Sequence, residues 1–220
     1  MIFTTFATAV YGSDLPDYAN VLPMPTDDIP LTTTPEQRKA VVAGGCFWCT
    51  EVVFKELAGV SKVVPGYSGG TKETANYDAV SAGRTKHAEA IEITYDASKI
   101  TYGRLLRVFM TMHDPTTLNR QGPDVGPHYR SAIFYGSDDE KRVAEAYVKQ
   151  VDASKHYPNP VVTTLEPLTA FYVAEQYHHN YAELNPMSGY IRQQATPKIG
   201  KVRSKFADEV KPATTQPLKP

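Results

Sequence analysis

The sequence predicts an α+β fold, a two-layer sandwich in which helices cover one mixed β-sheet. Three observations lead there. Short apolar runs of strand length alternate with stretches whose apolar residues recur at helical spacing. Long Gly-containing connections, such as residues 65 to 86, are too irregular for the tight crossovers of a doubly wound parallel sheet. A composition of 41% hydrophobic and 21% charged residues supplies one well-formed core in 220 residues.

Residues 1–35 read as an extended N-terminal arm, because five Pro between residues 13 and 35 interrupt any helical or strand period. A catalytic domain follows over 36–197. "KAVVAGG" is a buried strand stopped by Gly44-Gly45, and it feeds into "CFWCTEVVFKELAGV", where Cys49, Val53 and Leu57 recur as on a helix. "HAEAIEITYD" alternates as a strand, and "ITYGRLLRVFMTMHD" puts Leu105, Leu106, Phe109 and Met112 or His113 on one helical face. "SAIFYG" is a further strand. "SDDEKRVAEAYVKQV" opens with Ser137 and Glu140 in capping-box spacing and stacks Val143, Tyr147 and Val151. "VVTTLEPL" reads as the last strand and "FYVAEQYHHNYAEL" as the last helix. From 198 to 220 the chain turns Lys- and Pro-rich, the composition of a surface tail. A ferredoxin-like α/β plait is the arrangement expected of these elements.

With 23 basic against 24 acidic residues, a net charge of −1, no basic excess is available for a phosphate backbone or an anionic lipid surface. No nucleic-acid or membrane partner is expected. The opening "MIFTTFATAVYGSDLPDY" lacks a basic flank and its apolar run is broken by Thr, so no targeting segment is read there. One C-x-x-C and no other cysteine suits a reducing compartment, the cytoplasm, with the periplasm as the alternative if a leader was removed.

The stretch "GGCFWCT" holds both cysteines of the chain and its single Trp. Cys46 falls after a buried strand and at the first turn of a helix, where unpaired backbone N–H groups favour a thiolate and hence a nucleophile. Gly44 and Gly45 let the backbone approach whatever Cys46 attacks. A buried structural cysteine is the bland alternative. Phe47 and Trp48 cannot both face the core together with the Cys49 stripe, so at least one lines a pocket. Cys49, three residues on, is either a redox partner of Cys46 or a packed core thiol. A zinc site would need about four ligands, and His87, His113, His128, His156, His178 and His179 offer no companion spacing.

On the "HAEAIEITYD" strand, Glu89 shares a face with His87, Ile91, Ile93 and Tyr95, whereas Glu92 points the other way. Burial would raise the Glu89 pKa until it holds a proton near neutrality. Two loops carry further polar atoms: Tyr77 lies in "TANYDAVSAGRTKH", and Asp124, His128 and Tyr129 in "QGPDVGPHYRS".

Six ordered blocks, "AGGCFWCTE", "GYSGG", "NYDAVSAGRTKHAEAIEITYD", "HDPTTLNRQGPDVGPHYRSAIFY", "FYVAEQYHHNY" and "NPMSGYI", together resemble the peptide methionine sulfoxide reductase A family. The resemblance implies a two-layer α+β core and reduction of methionine S-sulfoxide without metal or organic cofactor. It implies Cys46 as nucleophile, Glu89 as acid, Tyr77 and Tyr129 as oxygen-binding hydroxyls, Phe47 and Trp48 as a wall for the substrate methyl, and Asp124 as a supporting carboxylate. Many members carry recycling cysteines near the C-terminus, and this tail has none. Either Cys49 then closes a disulfide with Cys46, reduced by a thioredoxin-like partner, or an external thiol such as glutathione with glutaredoxin attacks the Cys46 sulfenic acid. The rival enzyme is a thioredoxin-type dithiol-disulfide oxidoreductase using Cys46 and Cys49; the rival outside catalysis is a small metal-binding or interaction domain.

Overall fold

A computed structural model describes residues 21–212. The reading of residues 1–18 as free of a targeting segment, and the end of the expected tail, lie outside the described residues.

The first half of the chain runs β1 (Gln37–Gly44), α1 (Phe47–Lys55), β2 (Val60–Ser68), α2 (Tyr77–Ser81), β3 (Ala88–Asp96) and α3 (Tyr102–Met112). It continues with β4 (Arg120–Gln121), β5 (Asp124–Val125), β6 (Ser131–Tyr135), α4 (Asp138–Ala153), β7 (Thr164–Pro167), β8 (Phe171–Val173), α5 (Tyr181–Leu184) and α6 (Thr196–Lys205). Six strands form one mixed sheet in the order β7-β6-β1-β3-β2-β8, while β4 and β5 pair separately. Only β6 and β7 are parallel; every other pair is antiparallel.

The pleat sorts the sheet residues into two faces. Val42, Ile91, Ile93 and Ile133 join Val53 of α1, Leu57 just beyond it, Leu105 and Phe109 of α3, and Val143 and Tyr147 of α4 in the main core. Val41, Ala88, Ala90 and Phe134 form the opposite face, covered by Leu168 and Phe171 rather than by a helix. Helix starts follow the local chemistry: Ser137 Oγ accepts from Glu140 N at 3.2 Å, and Glu140 Oε2 accepts from Gly136 N at 2.6 Å.

Two expectations are corrected. "FYVAEQYHHNYAEL" is not a helix: Phe171–Val173 add an edge strand to β2, Gln176–His178 form a 3-10 turn, and Asn180 turns left-handed at φ 56° before α5. Strand pairing overrides the helical spacing there. The strand β2 was hidden because Pro65 and Gly66 break its alternation. The packed chain also continues past 197: α6 buries Lys198 and Val202, and Val210 bridges to Leu57. Among the described residues no helix is long and apolar enough to cross a membrane.

Candidate active site

β1 delivers the chain to the site and α1 leaves from it. Gly45 makes the turn at φ 89°, and a Cβ there would lie 2.6 Å from Gln121 Cβ; one on Gly44 would lie 2.8 Å from Phe109 Cε2. The two glycines thus admit β4 and α3 against the turn, rather than a substrate as the sequence suggests. Cys46 is the N-cap of α1, yet its side chain accepts no capping hydrogen bond.

The first free N–H of the helix, that of Phe47, donates instead to Glu89 Oε2 at 3.1 Å. Glu89 is 2% exposed, and burial lifts its pKa to about 8 against the lowering effect of the Phe47 N–H. Glu92, three residues on, pairs with Lys39 at 2.9 Å on the other face. The strand-face reading of the two carboxylates therefore matches their surroundings.

The two thiols are free and buried. Burial pushes the Cys46 thiol up, as does the hydrogen bond it shares with Cys49. The same shared bond and the nearby Lys198 charge draw the Cys49 thiol down against its burial.

Cys49 does not join the main core. It packs with Val52, Ala182, Ile191 and Ala195, between α1 and the C-terminal segment. Its Sγ lies 3.9 Å from Tyr190 Oη, whose hydroxyl donates to Asp124 Oδ2 at 2.6 Å. Cys46, Cys49, Asp124, Tyr190, Gln194 and Lys198 line one narrow cleft.

Phe47 is 1% exposed and Trp48 half-buried. Trp48 stacks on Tyr181 with ring centroids 3.9 Å apart and donates through Nε1 to His178 Nδ1 at 3.2 Å. The His178 ring also meets Phe47 at 4.9 Å and Tyr77 at 4.5 Å. Glu175 fixes this wall from behind: it accepts from Tyr77 N and from the Tyr67 hydroxyl, both at 2.8 Å. Tyr77 opens α2 and Tyr129 closes the 3-10 turn Pro127–Tyr129; both sit near enough to Glu89 and Cys46 that those charges would raise their pKa values, after burial as the main cause. Sequence reasoning missed His178, Tyr190 and Lys198: the first two lie inside quoted blocks but carried no periodic signal, and Lys198 reads as a solvated tail residue. Among the described residues no group of three His, Cys, Asp or Glu side chains converges as metal ligands.

A sulfur pair, a carboxyl able to stay protonated at neutral pH and an aromatic wall together make a thiol-based reductase centre. Comparison with known proteins specifies which. Residues 38–210 match the family described as peptide methionine sulfoxide reductase. The peptide methionine sulfoxide reductase MsrA 2 of Synechocystis is 45% identical over 208 residues, covering 93% of this chain and 97% of its own. The MsrA of Natronomonas pharaonis is 48% identical over 171 residues, 78% of this chain and 96% of its own. Among solved structures, reduced Mxr1 from Saccharomyces cerevisiae superposes with a TM-score of 0.64 at 30% identity, over 74% of this chain and 96% of its own. Methionine sulfoxide reductase A of Corynebacterium diphtheriae gives a TM-score of 0.61 at 30% identity, over 77% and 86%. The chain belongs to the peptide methionine sulfoxide reductase family.

Proposed function

We propose that the chain reduces methionine S-sulfoxide, free or in proteins, with Cys46 as nucleophile and Glu89 as acid. The observation that carries this reading is the carboxyl of Glu89, buried beside Cys46 and raised to about 8. Sulfoxide oxygen leaves only when protonated, so attack on the substrate sulfur needs a neutral acid at that oxygen. Tyr77 and Tyr129 donate hydrogen bonds to it, Phe47 and Trp48 receive the methyl, and Asp124 supports the cleft through Tyr190.

The Cys46 sulfur passes its proton to the Cys49 sulfur and bonds to the substrate sulfur, while Glu89 protonates the oxygen. The hydroxyl then moves from the substrate sulfur to the Cys46 sulfur as the S–O and S–S bonds to the substrate break, so methionine departs and Cys46 is left as a sulfenic acid. Cys49 then condenses with it to a disulfide, which a thioredoxin-like partner reduces; glutathione with glutaredoxin acting on the sulfenic acid is the other route. No metal or organic cofactor takes part. A thioredoxin-type role would leave the burial of Glu89 without a task. The catalytic domain begins near residue 36 and takes in α6, and its core order β6-β1-β3-β2 supports a ferredoxin-like plait extended by β7 and β8. The lone C-x-x-C assigns it to the reducing cytoplasm.

The test is incubation with each epimer of methionine sulfoxide and dithiothreitol, followed by measurement of methionine. The S epimer is consumed and the R epimer persists, while Cys46→Ser is inactive. Equal consumption of both epimers overturns the reading.

A further inference from the structure

Lys198 is 7% exposed, an unusual burial for a lysine, and among the described residues it is the one cationic side chain lining the cleft that holds both cysteines. α6 carries it, and the π-helical turn Ile191–Ala195 that leads into α6 follows directly on Tyr190. The C-terminal segment therefore brings an ammonium and a hydroxyl to Cys49 from one side. This inference rests on the proposed function, in which Cys49 closes the disulfide.

We propose that Lys198 is a positioning residue that holds Cys49 as the attacking thiolate in the step that closes the Cys46–Cys49 disulfide. The need arises from the order of events. Before turnover, the hydrogen bond from the Cys46 thiol is the main stabiliser of charge on Cys49. Once Cys46 carries oxygen that thiol proton is gone, and because the Tyr190 hydroxyl gives its proton to Asp124 at 2.6 Å, the stabilisation of a Cys49 anion falls to Lys198.

The other charged groups facing the pair oppose it. Asp124 acts on Cys49 from β5, and the carboxylate of Glu89, after it has given up its proton, acts from β3. Lys198 also faces Asp124 and the neutral His113, which burial holds down to about 4. Without the ammonium, Cys49 would face two carboxylates. The step balances: the Cys49 sulfur attacks the Cys46 sulfur, one S–S bond forms, the S–O bond breaks, and hydroxide leaves. The proton that Cys49 gives up accounts for the second hydrogen of the water. Cys49 is oxidised and the Cys46 sulfur is reduced, with no external electron donor.

The experiment is a single turnover of the full chain with excess methionine sulfoxide and no reductant, following methionine release and free thiols together. Lys198→Met is expected still to release one methionine per enzyme, a yield that reports an intact fold and first step, and its disulfide closure is scored against its own release rate. Its thiol loss at pH 7 is expected to slow by about tenfold, as for a thiolate that loses one nearby opposite charge. The difference should shrink as pH rises towards about 9, where the thiolate forms unaided, and Lys198→Arg should restore much of the rate. Disulfide closure in Lys198→Met at the wild-type rate and with the wild-type pH profile overturns the proposal. If the Cys49 thiol persists in the wild-type enzyme as well, the resolving role of Cys49 fails instead, a result distinct from a defect confined to the variant. If Lys198→Met loses methionine release too, Lys198→Gln, which keeps a polar side chain without the charge, decides by the same paired measurement: closure slowed relative to its own release at pH 7 supports the proposal, and closure at the wild-type rate refutes it.

Discussion

Glu89 is held in two ways that oppose each other, and the balance sets how the protein responds to pH. The Phe47 N–H favours the carboxylate, while burial at 2% exposure favours the neutral acid and wins, moving the pKa from 4.5 to about 8. Between those two values the folded chain binds a proton that the unfolded chain has released. Stability at this site is therefore present below 4.5 and declines as pH rises towards about 8. Activity that needs the acid falls over the upper part of the same window. Glu89→Gln should lower the rate by about 10²- to 10⁴-fold, the usual weight of general acid catalysis, and should flatten the pH dependence of unfolding measured by urea titration. Glu92→Gln should change neither; equal behaviour of the two variants would refute the assignment. The position of Glu89 was legible because a strand has period two and its neighbours Ile91 and Ile93 declare the buried face. Lys198 was not legible, since a lysine among Lys and Pro residues looks solvated until packing of α6 on α1 is known. The donation of the Phe47 N–H to Glu89 was also beyond the sequence, which shows a helix start but not where its N–H groups point.

At the scale of elements, the helices α1, α3 and α4 were readable from their spacing, and β1, β3 and β6 from their apolar runs. The strands β2 and β8 were not, because each depends on the other. Gly66 pairs with Val173, and a Cβ at Gly66 would lie 2.4 Å from both Phe171 Cζ and the Tyr172 carbonyl oxygen. Close approach of this edge strand is what places Glu175 and His178 behind Tyr77 and Trp48. Gly66→Ala should displace β8, at a cost of about 1–3 kcal/mol in stability by overpacking. KM for sulfoxide should rise with the loosened aromatic wall, while a single-turnover count still finds a reactive Cys46. A urea midpoint and a substrate titration check both halves, and an unchanged KM would detach β8 from the site.

At the scale of the whole molecule, residues 21–36 bind the helical layer from outside. Leu22 is fully buried, its carbonyl accepts from Arg107 Nε of α3 at 2.7 Å, and the Pro23 carbonyl accepts from the Tyr147 hydroxyl of α4 at 3.0 Å. Asp28 accepts from Gly103 N at 2.7 Å, satisfying a free donor at the start of α3. A stretch that sequence alone reads only as extended thus clasps two helices, because its Pro residues forbid a helix of its own while leaving carbonyls free to accept. Its hydrogen bonds go to α3, to α4 and, from Thr32 and Glu36, to Asp96 and Ala97 at the end of β3 away from Glu89, whereas Cys46, Cys49 and Glu89 are held by α1, the start of β3 and the segment from Tyr190 to α6. Leu22→Ala should therefore separate stability from catalysis. Removing this fully buried side chain is expected to destabilise by about 2–5 kcal/mol, read as a lower urea midpoint, with kcat/KM for methionine sulfoxide unchanged well below that midpoint. A fall in kcat/KM under those conditions would mean that the arm reaches the catalytic cleft through α3, whose Phe109 packs against the Gly44 turn.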